Sequence, residues 1–214
     1  RPPRPKLFPY TTLFRSSVLY DRENSSISLA APEEYNFDGA LEGVRRVHVT
    51  GITPSLTRNA FLSTLELARR AKQAGALVSC DLNFRKKLWR WQPDTKPQRL
   101  AQQSMSEILP YVDLVIANEE DAEKVLGIRA EGTSVEQGKI NPGAYLDVAR
   151  QINRRFGNVS QVAITLRESI SASHNNWGAM LYVATEDKAY FAPTDGDGYY
   201  RPYQICDIVD RVGA

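Results

Sequence analysis

An apolar run at residues 76–80, followed directly by polar residues, sets the strongest limit on the architecture. The run comes after a segment of helical spacing and after Gly75, a context typical of a buried strand in a parallel sheet. Asp81, Asn83 and Arg85 then occupy alternate positions, which a strand would place on one face. Open α/β sheets bind ligands at the carboxyl ends of their strands. An arginine beside an amide there favours an anionic ligand, whereas a solvated strand end with an Arg–Asp pair is the alternative.

Further apolar strand-like runs alternate with segments of helical spacing along the chain. Strands are predicted at residues 17–20, 27–31, 44–50, 76–80, 110–117 and 161–165, and helices at 56–74, 97–109, 118–126 and 144–156. A hairpin is predicted over residues 179–192. The alternation predicts an α/β fold with a central, mostly parallel sheet that is flanked by helices.

Polar clusters follow three successive predicted strands, which indicates one cleft along the carboxyl edge of the sheet. Their members are Asp81, Asn83 and Arg85, then Asn118, Glu119 and Glu120, then Thr165, Arg167 and Glu168. Helix capping is an alternative explanation for Asn118 and Asp121. Gly51 ends another strand and would allow a ligand to approach the backbone closely, while Ser55 is predicted to cap the next helix. Trp89 and Trp91 are expected to be packing residues.

The composition narrows the class of protein. With 214 residues, the chain has room for one domain or one and a half. A net charge of +2 and the lack of long basic runs argue against nucleic acid as a partner, and no apolar stretch is long enough to span a membrane. Cys80 and Cys206 are predicted to be reduced core residues, which favours a cytoplasmic location. Two histidines provide too few ligands for a Cys/His zinc site, and neither the dinucleotide-binding glycine motif nor a P-loop occurs.

The two ends of the chain do not share the pattern of the rest. Residues 1–16 look like a translated sequencing adapter, and we expect them to be non-native. At the other end the sequence stops at Val212-Gly-Ala214, within a glycine-containing turn, and no apolar signal segment precedes the first strand. We therefore expect a fragment truncated at both ends, in which residues 17–214 form part of one domain.

Six short motifs occur in order along residues 17–214. They are Tyr20-Asp-Arg22 with Ser25-Ser26, Gly51-Ile-Thr-Pro54, Asp81-Leu-Asn-Phe-Arg85 with Leu88-Trp89, Asn118-Glu-Glu-Asp121, Thr165-Leu-Arg-Glu-Ser169 and Asp210-Arg-Val-Gly-Ala214. Their order resembles the ribokinase-like carbohydrate kinases, the PfkB family, and within it the 2-keto-3-deoxygluconate kinase group. The resemblance implies a ribokinase-like fold with a small β lid, most of which would lie upstream of this chain. It also implies transfer of the γ-phosphate of ATP to a sugar hydroxyl with the aid of Mg2+.

The resemblance assigns roles to residues that match the family's motifs. Substrate-binding roles fall to Tyr20, Arg22, Gly51 and Arg85, with Arg22 on the carboxylate of a sugar acid. Nucleotide-binding roles fall to Asn83, Arg85, Asn118, Thr165, Arg167 and Ser169. Glu120 or Asp121 would organise Mg2+ through water, and Gly213 and Ala214 would begin an anion hole of backbone N–H groups at a helix N-terminus.

Three departures from the family's pattern bear on these roles. Asp121 stands where the family has a glutamate, and Arg167-Glu-Ser169 replaces glycines that many members carry. The aspartate that serves the family as catalytic base would lie two positions beyond Ala214, so this chain has no catalytic residue of that kind and is expected to be inactive.

Two other functions stay open on the sequence alone. One is a kinase of the same family for a neutral sugar or a nucleoside, in which Arg22 would only form a salt bridge with Asp21 or Glu23. The other is a non-catalytic α/β sugar-binding protein. The small-molecule partners expected are a sugar acid and ATP, and a homo-oligomer of the full-length protein is left open.

Overall fold

The structure, a computed structural model, describes residues 22, 24–128, 142–171 and 174–206. The helices in this part of the chain are α1 (Ser26–Leu29), α2 (Phe37–Leu41), α3 (Thr53–Leu56), α4 (Arg58–Gln73), α5 (Pro97–Ile108), α6 (Glu119–Asp121) and α7 (Pro142–Arg155). The strands are β1 (Arg46–Thr50), β2 (Leu77–Asp81), β3 (Leu114–Asn118), β4 (Gln161–Ser169), β5 (Asn175–Val183), β6 (Lys188–Ala192) and β7 (Tyr203–Ile205). Short 3-10 turns span Pro32–Glu34 and Leu109–Tyr111, and a π-helical turn, Ala122–Leu126, continues α6.

The strands of the described chain form one seven-stranded sheet, in the order β1-β2-β3-β4-β5-β6. Strands β1 to β4 run parallel, and β5 turns the sheet antiparallel. Both β6 and β7 pair with β5, β6 along residues 179–183 and β7 along residues 175–177. The predicted α/β class and the predicted hairpin over residues 179–192 are confirmed.

One face of the sheet is buried beneath helices. Alternate strand residues, among them Val78, Cys80, Val115, Val162 and Ile164, are almost fully buried and form a single core with apolar residues of α4, α5 and α7. Burial raises the pKa of the Cys80 thiol, so this cysteine stays protonated and behaves as a small apolar residue. Trp89 is fully buried, and Trp91 stacks on Phe61 with ring centroids 5.8 Å apart, which confirms both tryptophans as packing residues.

The start of α4 differs from the sequence prediction. The capping side chain is that of Thr57, whose Oγ1 accepts a hydrogen bond from Ala60 N at 3.1 Å. Ser55 lies inside α3, where its Oγ donates to the carbonyl oxygen of Ile52 at 2.5 Å. The prediction of Ser55 as the cap was wrong because the extra turn α3 moves the beginning of α4 two residues along the chain.

Two further predictions are corrected. Residues 27–31 do not form a strand: α1 covers most of them, and side chains of α4 and its cap bind their carbonyl groups, with Thr57 Oγ1 donating to Ser28 O at 2.6 Å and Asn59 Nδ2 to Leu29 O at 2.9 Å. Cys206 is exposed and is not a core residue, because it follows the exposed edge strand β7. The predicted strand at residues 17–20 and the segment 1–16 lie outside the described residues.

Candidate active site

The strand registers bring the predicted polar clusters to one edge of the sheet. Thr50 of β1 pairs with Asp81 of β2, and Asn118 of β3 pairs with Thr165 of β4. Asp81 in turn pairs with Ile116, two residues before Asn118. Thr50, Asp81 and Asn118 are the last residues of β1, β2 and β3, and Thr165, in the middle of the longer strand β4, lies level with the end of β3. The polar residues therefore meet where the parallel strands end, which is where open α/β sheets bind ligands. The predicted shared edge is therefore confirmed.

The chain leaves β2 through a tight turn. Strand β2 ends at Asp81, whose Oδ1 accepts a hydrogen bond from Asn83 N at 3.1 Å. Asn83 has a φ of +37°, in the left-handed region that asparagine tolerates better than most residues. Its Nδ2 donates to Thr50 Oγ1 at 3.5 Å, which links β1 to the turn. Thr50 was not singled out from the sequence, although its place directly before Gly51 marks it as a strand-end residue.

The prediction that Asp81, Asn83 and Arg85 share one face of an extended strand was wrong. That alternation requires extended backbone through residue 85, and the left-handed conformation at Asn83 ends it. The short carboxylate of Asp81 competes for the backbone N–H that a strand would give to its neighbour. The three residues stay together at the carboxyl edge because the turn, and not the strand period, holds them there.

Gly51 has a structural role at this edge. Its N–H donates to Asp81 O at 2.7 Å, and a Cβ added to Gly51 would lie 2.1 Å from the carbonyl oxygen of Leu82. The close approach that the glycine permits is therefore to the backbone that leaves β2. The glycine lets β1 and β2 pass into their loops side by side.

Asp121 joins the loop after β2 to the end of β3. Its Oδ1 accepts from Phe84 N at 2.9 Å and its Oδ2 from Asn118 N at 3.3 Å. Asn118 Oδ1 accepts in return from the N–H groups of Glu120 and Asp121, both at 2.9 Å, which completes a capping box at the start of α6. The capping roles considered for Asn118 and Asp121 are thus confirmed.

Asp121 is buried, and only 4% of its surface is exposed. Burial raises its pKa, since a charged carboxylate is disfavoured away from water. The hydrogen bonds from the backbone of Phe84 and Asn118 lower the pKa in part, Asp81 raises it, and the positive charge of Arg85 lowers it. The net direction is upward, so the two backbone N–H groups and Arg85 only partly offset the cost of burying the charge.

Arg85 is half-buried beside this carboxylate. Its Nη1 donates to Phe84 O at 3.2 Å, and Leu88 N donates to Arg85 O at 2.9 Å. Within the described part of the chain no acidic group lies within salt-bridge distance of its guanidinium. The alternative of a direct Arg–Asp pair at this strand end is therefore not what the described residues form.

The end of β4 presents a second cation. Thr165 and Arg167 are exposed on one face of the strand, and Leu166 between them is buried on the other. Arg167 Nη2 donates to Asn175 Oδ1 at 3.3 Å, and its guanidinium lies 5.3 Å from the centre of the Trp177 ring. Trp177 pairs with Arg167 across β4 and β5, a contact that no local pattern announces. Ser169 is the last residue of β4.

The remaining residues that the sequence predicts for the site lie near the two ends of the chain. Arg22 is exposed, and its carbonyl oxygen accepts a hydrogen bond from Ser25 Oγ at 2.9 Å. The following helix α1 is bound to the start of α4 through Thr57, which brings this segment to the side of the sheet where β1 ends. Tyr20, Gly213 and Ala214 lie outside the described residues.

The acidic residues at the edge do not form a chelating cluster. Among the described residues no three histidine, cysteine or acidic side chains come close enough together to hold a metal ion. The carboxylate oxygens of Asp121 are both engaged by backbone N–H groups, whereas Glu120 is exposed. Such a set fits Mg2+, which usually keeps several waters and takes only one or two protein carboxylates beside the phosphates of a substrate. In the part of the chain that the structure covers, every helix is too short or too polar to cross a membrane.

Known proteins are similar to this chain in sequence, and the solved structures among them are similar in fold. One of them is 2-dehydro-3-deoxygluconokinase from Thermotoga maritima, whose crystal structure superposes on this chain with a TM-score of 0.74. The matched region is 39% identical in sequence and covers 91% of this chain and 52% of the Thermotoga maritima chain. A PfkB family carbohydrate kinase from Listeria grayi is 28% identical with the same coverage and a TM-score of 0.70. A 2-dehydro-3-deoxygalactonokinase from Haloferax volcanii is 31% identical over 120 residues, which are 56% of this chain and 35% of the relative.

The chain spans about half the length of the solved structures that it matches, and about a third of the curated relative. The family described as pfkB family carbohydrate kinase matches residues 14–142, more than half of the chain. That range contains the carboxyl ends of β1, β2 and β3 with the turn and the capping box that they carry. The chain belongs to the pfkB family of carbohydrate kinases.

Proposed function

We propose that the full-length protein transfers the γ-phosphate of ATP to a hydroxyl group of a 2-keto-3-deoxy sugar acid. The observation that carries the proposal is the similarity to 2-dehydro-3-deoxygluconokinase, which extends over nearly all of this chain. The chemistry of the carboxyl edge supports it, because both the substrate and the transferred group are anions and the edge carries cations. With ATP as the donor, we place the reaction in the cytoplasm.

Arg85 is proposed to lie between the sugar acid and the transferred phosphate. It is half-buried and forms no salt bridge with another described residue, so its charge is free to pair with an anion. In phosphoryl transfer the protein mainly positions the reactants and neutralises charge, and a planar guanidinium serves both purposes. Tyr20 and Arg22 are proposed to bind the other end of the substrate, with Arg22 on its carboxylate, and Gly51 to border it.

The nucleotide is proposed to lie along the neighbouring strand ends. Asn118 and Thr165 are register partners at that edge. Because Asn118 Oδ1 caps α6, the NH2 group of the same side chain is left as a donor for a phosphate oxygen. Arg167, held by Asn175 and Trp177, provides a cation on the same strand. Asn83 and Ser169 complete the proposed nucleotide contacts, and the N–H groups of Gly213 and Ala214 the proposed anion hole.

Mg2+ is proposed to bind with the nucleotide phosphates and to reach the protein through water at Glu120. The ion would neutralise charge on the β- and γ-phosphates. Glu120 is the better of the two predicted carboxylates, because it is exposed while Asp121 is buried and engaged by the backbone. The role of the chain's own residues is to orient the phosphates and to keep the acceptor hydroxyl beside them.

The configuration of the sugar acid is a second question. One similar protein is named for the gluconate-derived acid and another for the galactonate-derived acid. These substrates share the keto-acid end, which Arg22 would bind, and differ at a hydroxyl group. We propose 2-keto-3-deoxygluconate as the preferred substrate, since the more similar protein over the larger part of the chain is named for it.

Steady-state kinetics of the full-length protein test the proposal. ATP and Mg2+ are supplied with 2-keto-3-deoxygluconate, 2-keto-3-deoxygalactonate, ribose, fructose or adenosine, and ADP release is measured. We expect the two sugar acids to give the highest kcat/KM. A neutral sugar or nucleoside with a higher kcat/KM than both acids would contradict the acid assignment. Sugar-acid binding without ADP release would favour a non-catalytic binding protein.

A further inference from the structure

Asp121 binds two backbone segments that are far apart in sequence. One carboxylate oxygen accepts from Phe84, 37 residues upstream, and the other accepts from Asn118 at the end of β3. The side chain is buried, so these contacts are shielded from water and count for more than exposed ones would. A buried carboxylate that has both oxygens engaged is a strong constraint on the two segments that it joins.

The segment held in this way is the one that carries Arg85. On one side of Phe84, the Asp81–Asn83 turn sets a left-handed conformation. On the other side, Arg85 O accepts from Leu88 N, which closes the next turn. The Phe84 N–H bound by Asp121 lies between these two turns. Fixing that amide therefore fixes the backbone from which the Arg85 side chain leaves the sheet.

We propose that Asp121 is a positioning residue that holds the Phe84 amide and thereby sets the Arg85 guanidinium at the carboxyl edge, and that it is not a ligand of Mg2+. The inference rests on the proposed function insofar as Arg85 meets an anionic substrate. Asp121 acts through the backbone of its neighbour, and Arg85 is the group that contacts the reactants.

Asp113 provides a matched control, because it binds strand β2 near its amino end, whereas Asp121 binds the loop that follows its carboxyl end. Asp113 Oδ2 accepts from Val78 N at 2.7 Å, and its Oδ1 accepts from Lys72 Nζ at 2.6 Å. Asp113 thus holds a backbone amide of β2 as Asp121 holds that of Phe84, but at the amino end of the strand. Its loss removes a comparable structural bond far from the carboxyl edge.

A double-mutant cycle in the full-length protein tests the link to Arg85. We expect Asp121→Asn to lower kcat/KM for 2-keto-3-deoxygluconate on the order of 100-fold, as misplacing a reacting group by about 1 Å does. In an Arg85→Ala background, the same substitution should cause no further loss. Asp113→Asn should leave kcat/KM near the wild-type value. Losses that multiply in the double variant, or an equal loss in Asp113→Asn, would overturn the proposal.

The Mg2+ dependence separates positioning from metal binding. In Asp121→Asn the Mg2+ concentration that gives half-maximal turnover should equal that of the wild type, while the maximal turnover falls. A shift of that concentration to higher values in Asp121→Asn would identify Asp121 as part of the metal site and overturn the assignment.

Amide hydrogen exchange provides a readout that does not depend on activity. In Asp121→Ala the Phe84 amide should exchange faster while the Val78 amide keeps its protection, and Asp113→Asn should show the reverse. If Asp121→Ala does not fold, Asp121→Asn is measured in its place. Unchanged protection of Phe84 in a folded Asp121 variant would refute the clamp. A wild-type protein without kinase activity would refute the proposed function and leave this exchange test intact.

Discussion

Arg85 is the residue in which the geometry and the proposed chemistry meet most directly. It is half-buried, and among the described residues its guanidinium donates only to a backbone carbonyl. Negative charge moves between donor and acceptor oxygens during phosphoryl transfer, so a cation there assists turnover as well as binding. Its planar fork also matches two phosphate or carboxylate oxygens at once, which a lysine does not.

In the full-length protein, Arg85→Ala should lower turnover on the order of 100-fold or more, and Arg85→Lys should lower it less because the charge is kept. The melting temperature should change little, since the side chain contributes one hydrogen bond within the part of the chain that the structure describes. Arg90→Ala removes an exposed cation from the same connection and is the control. Near-normal turnover of Arg85→Ala would refute the phosphate role, and a large fall in its melting temperature would indicate a structural role.

Gly51 is expected to be intolerant of any side chain. A Cβ at this position would lie 2.1 Å from Leu82 O, and the backbone would have to move. We expect Gly51→Ala to lower the free energy of unfolding by about 3 kcal/mol or more, the upper part of the range for overpacking. Urea denaturation measures the change. Gly157→Ala, where an added Cβ meets no atom within 4 Å, should have no destabilising effect, and equal losses in the two variants would contradict the explanation.

Among the elements, α4 organises the covered side of the sheet. It packs on β1 and β2, meets α5, and binds α1 and α2. A partly exposed ion network joins its side to α2: Glu66 accepts from Arg69 and from Arg70, each at 2.6 Å at the shortest, and Arg70 Nη1 donates to Asp38 Oδ1 at 2.7 Å. Hydrogen bonds from Arg69 and then Arg70 lower the pKa of Glu66 from 4.5 to about 2.

This depressed pKa predicts how stability depends on pH. Because the folded-state pKa is the lower one, the contribution of Glu66 is fully present above about pH 4.5 and is lost as the pH falls towards 2. Glu66→Gln should lower the free energy of unfolding by about 1 kcal/mol at pH 6, since partly exposed ion pairs are screened by solvent. The difference from wild type should shrink between pH 4.5 and pH 3.

Urea denaturation at several pH values provides the measurement. Glu107→Gln changes an exposed glutamate of α5 that has no ion pair among the described residues, and its effect should not depend on pH in this range. A difference between Glu66→Gln and wild type that grows as the pH falls would have the wrong sign and would rule out the network as its source.

At the scale of the whole molecule, the two faces of the sheet differ. Helices cover the face that carries the core, whereas the opposite face of β5, β6 and β7 exposes several large apolar residues. These are Trp177, Leu181, Tyr190, Tyr203 and Ile205. Leu181 pairs with Tyr190, and Trp177 pairs with Tyr203, across neighbouring strands. Exposed apolar residues that neighbour one another in this way are less common on a monomer than single ones.

The 214-residue chain should therefore bind the apolar dye ANS through this face. Leu181 and Tyr190 are cross-strand partners, so the double substitution Leu181→Thr with Tyr190→Thr interrupts the patch and keeps residues that suit strands. We expect it to lower the dye fluorescence without lowering the melting temperature. Leu77→Thr removes an isolated apolar residue that is 47% exposed and should leave the fluorescence unchanged. Equal fluorescence in all three proteins would disprove the assignment of the dye site.

The sequence by itself determined the α/β class, most of the strands and long helices, and the edge on which the polar residues lie. These features follow from local periods and from one general rule, that parallel strands all present their carboxyl ends at the same edge. Helix capping by Asn118 and Asp121 could also be considered from the sequence, because a capping box joins residues only three positions apart. The order of six motifs was also sufficient to indicate the pfkB family, which the family match over residues 14–142 confirms.

Only the tertiary structure decided how the site is held. The 2.1 Å approach at Gly51 involves Leu82, and the second bond of Asp121 involves Phe84, so each depends on the register between neighbouring strands. Arg167 meets Trp177 only because β5 folds back antiparallel along β4. Ser55 was wrongly predicted to be a cap because the spacing of apolar residues does not reveal the short helix α3. Asn83 was wrongly predicted to continue a strand because the same spacing does not reveal the turn after Asp81. Contacts between distant segments depend on register and packing, and the spacing of residues along one segment does not specify either.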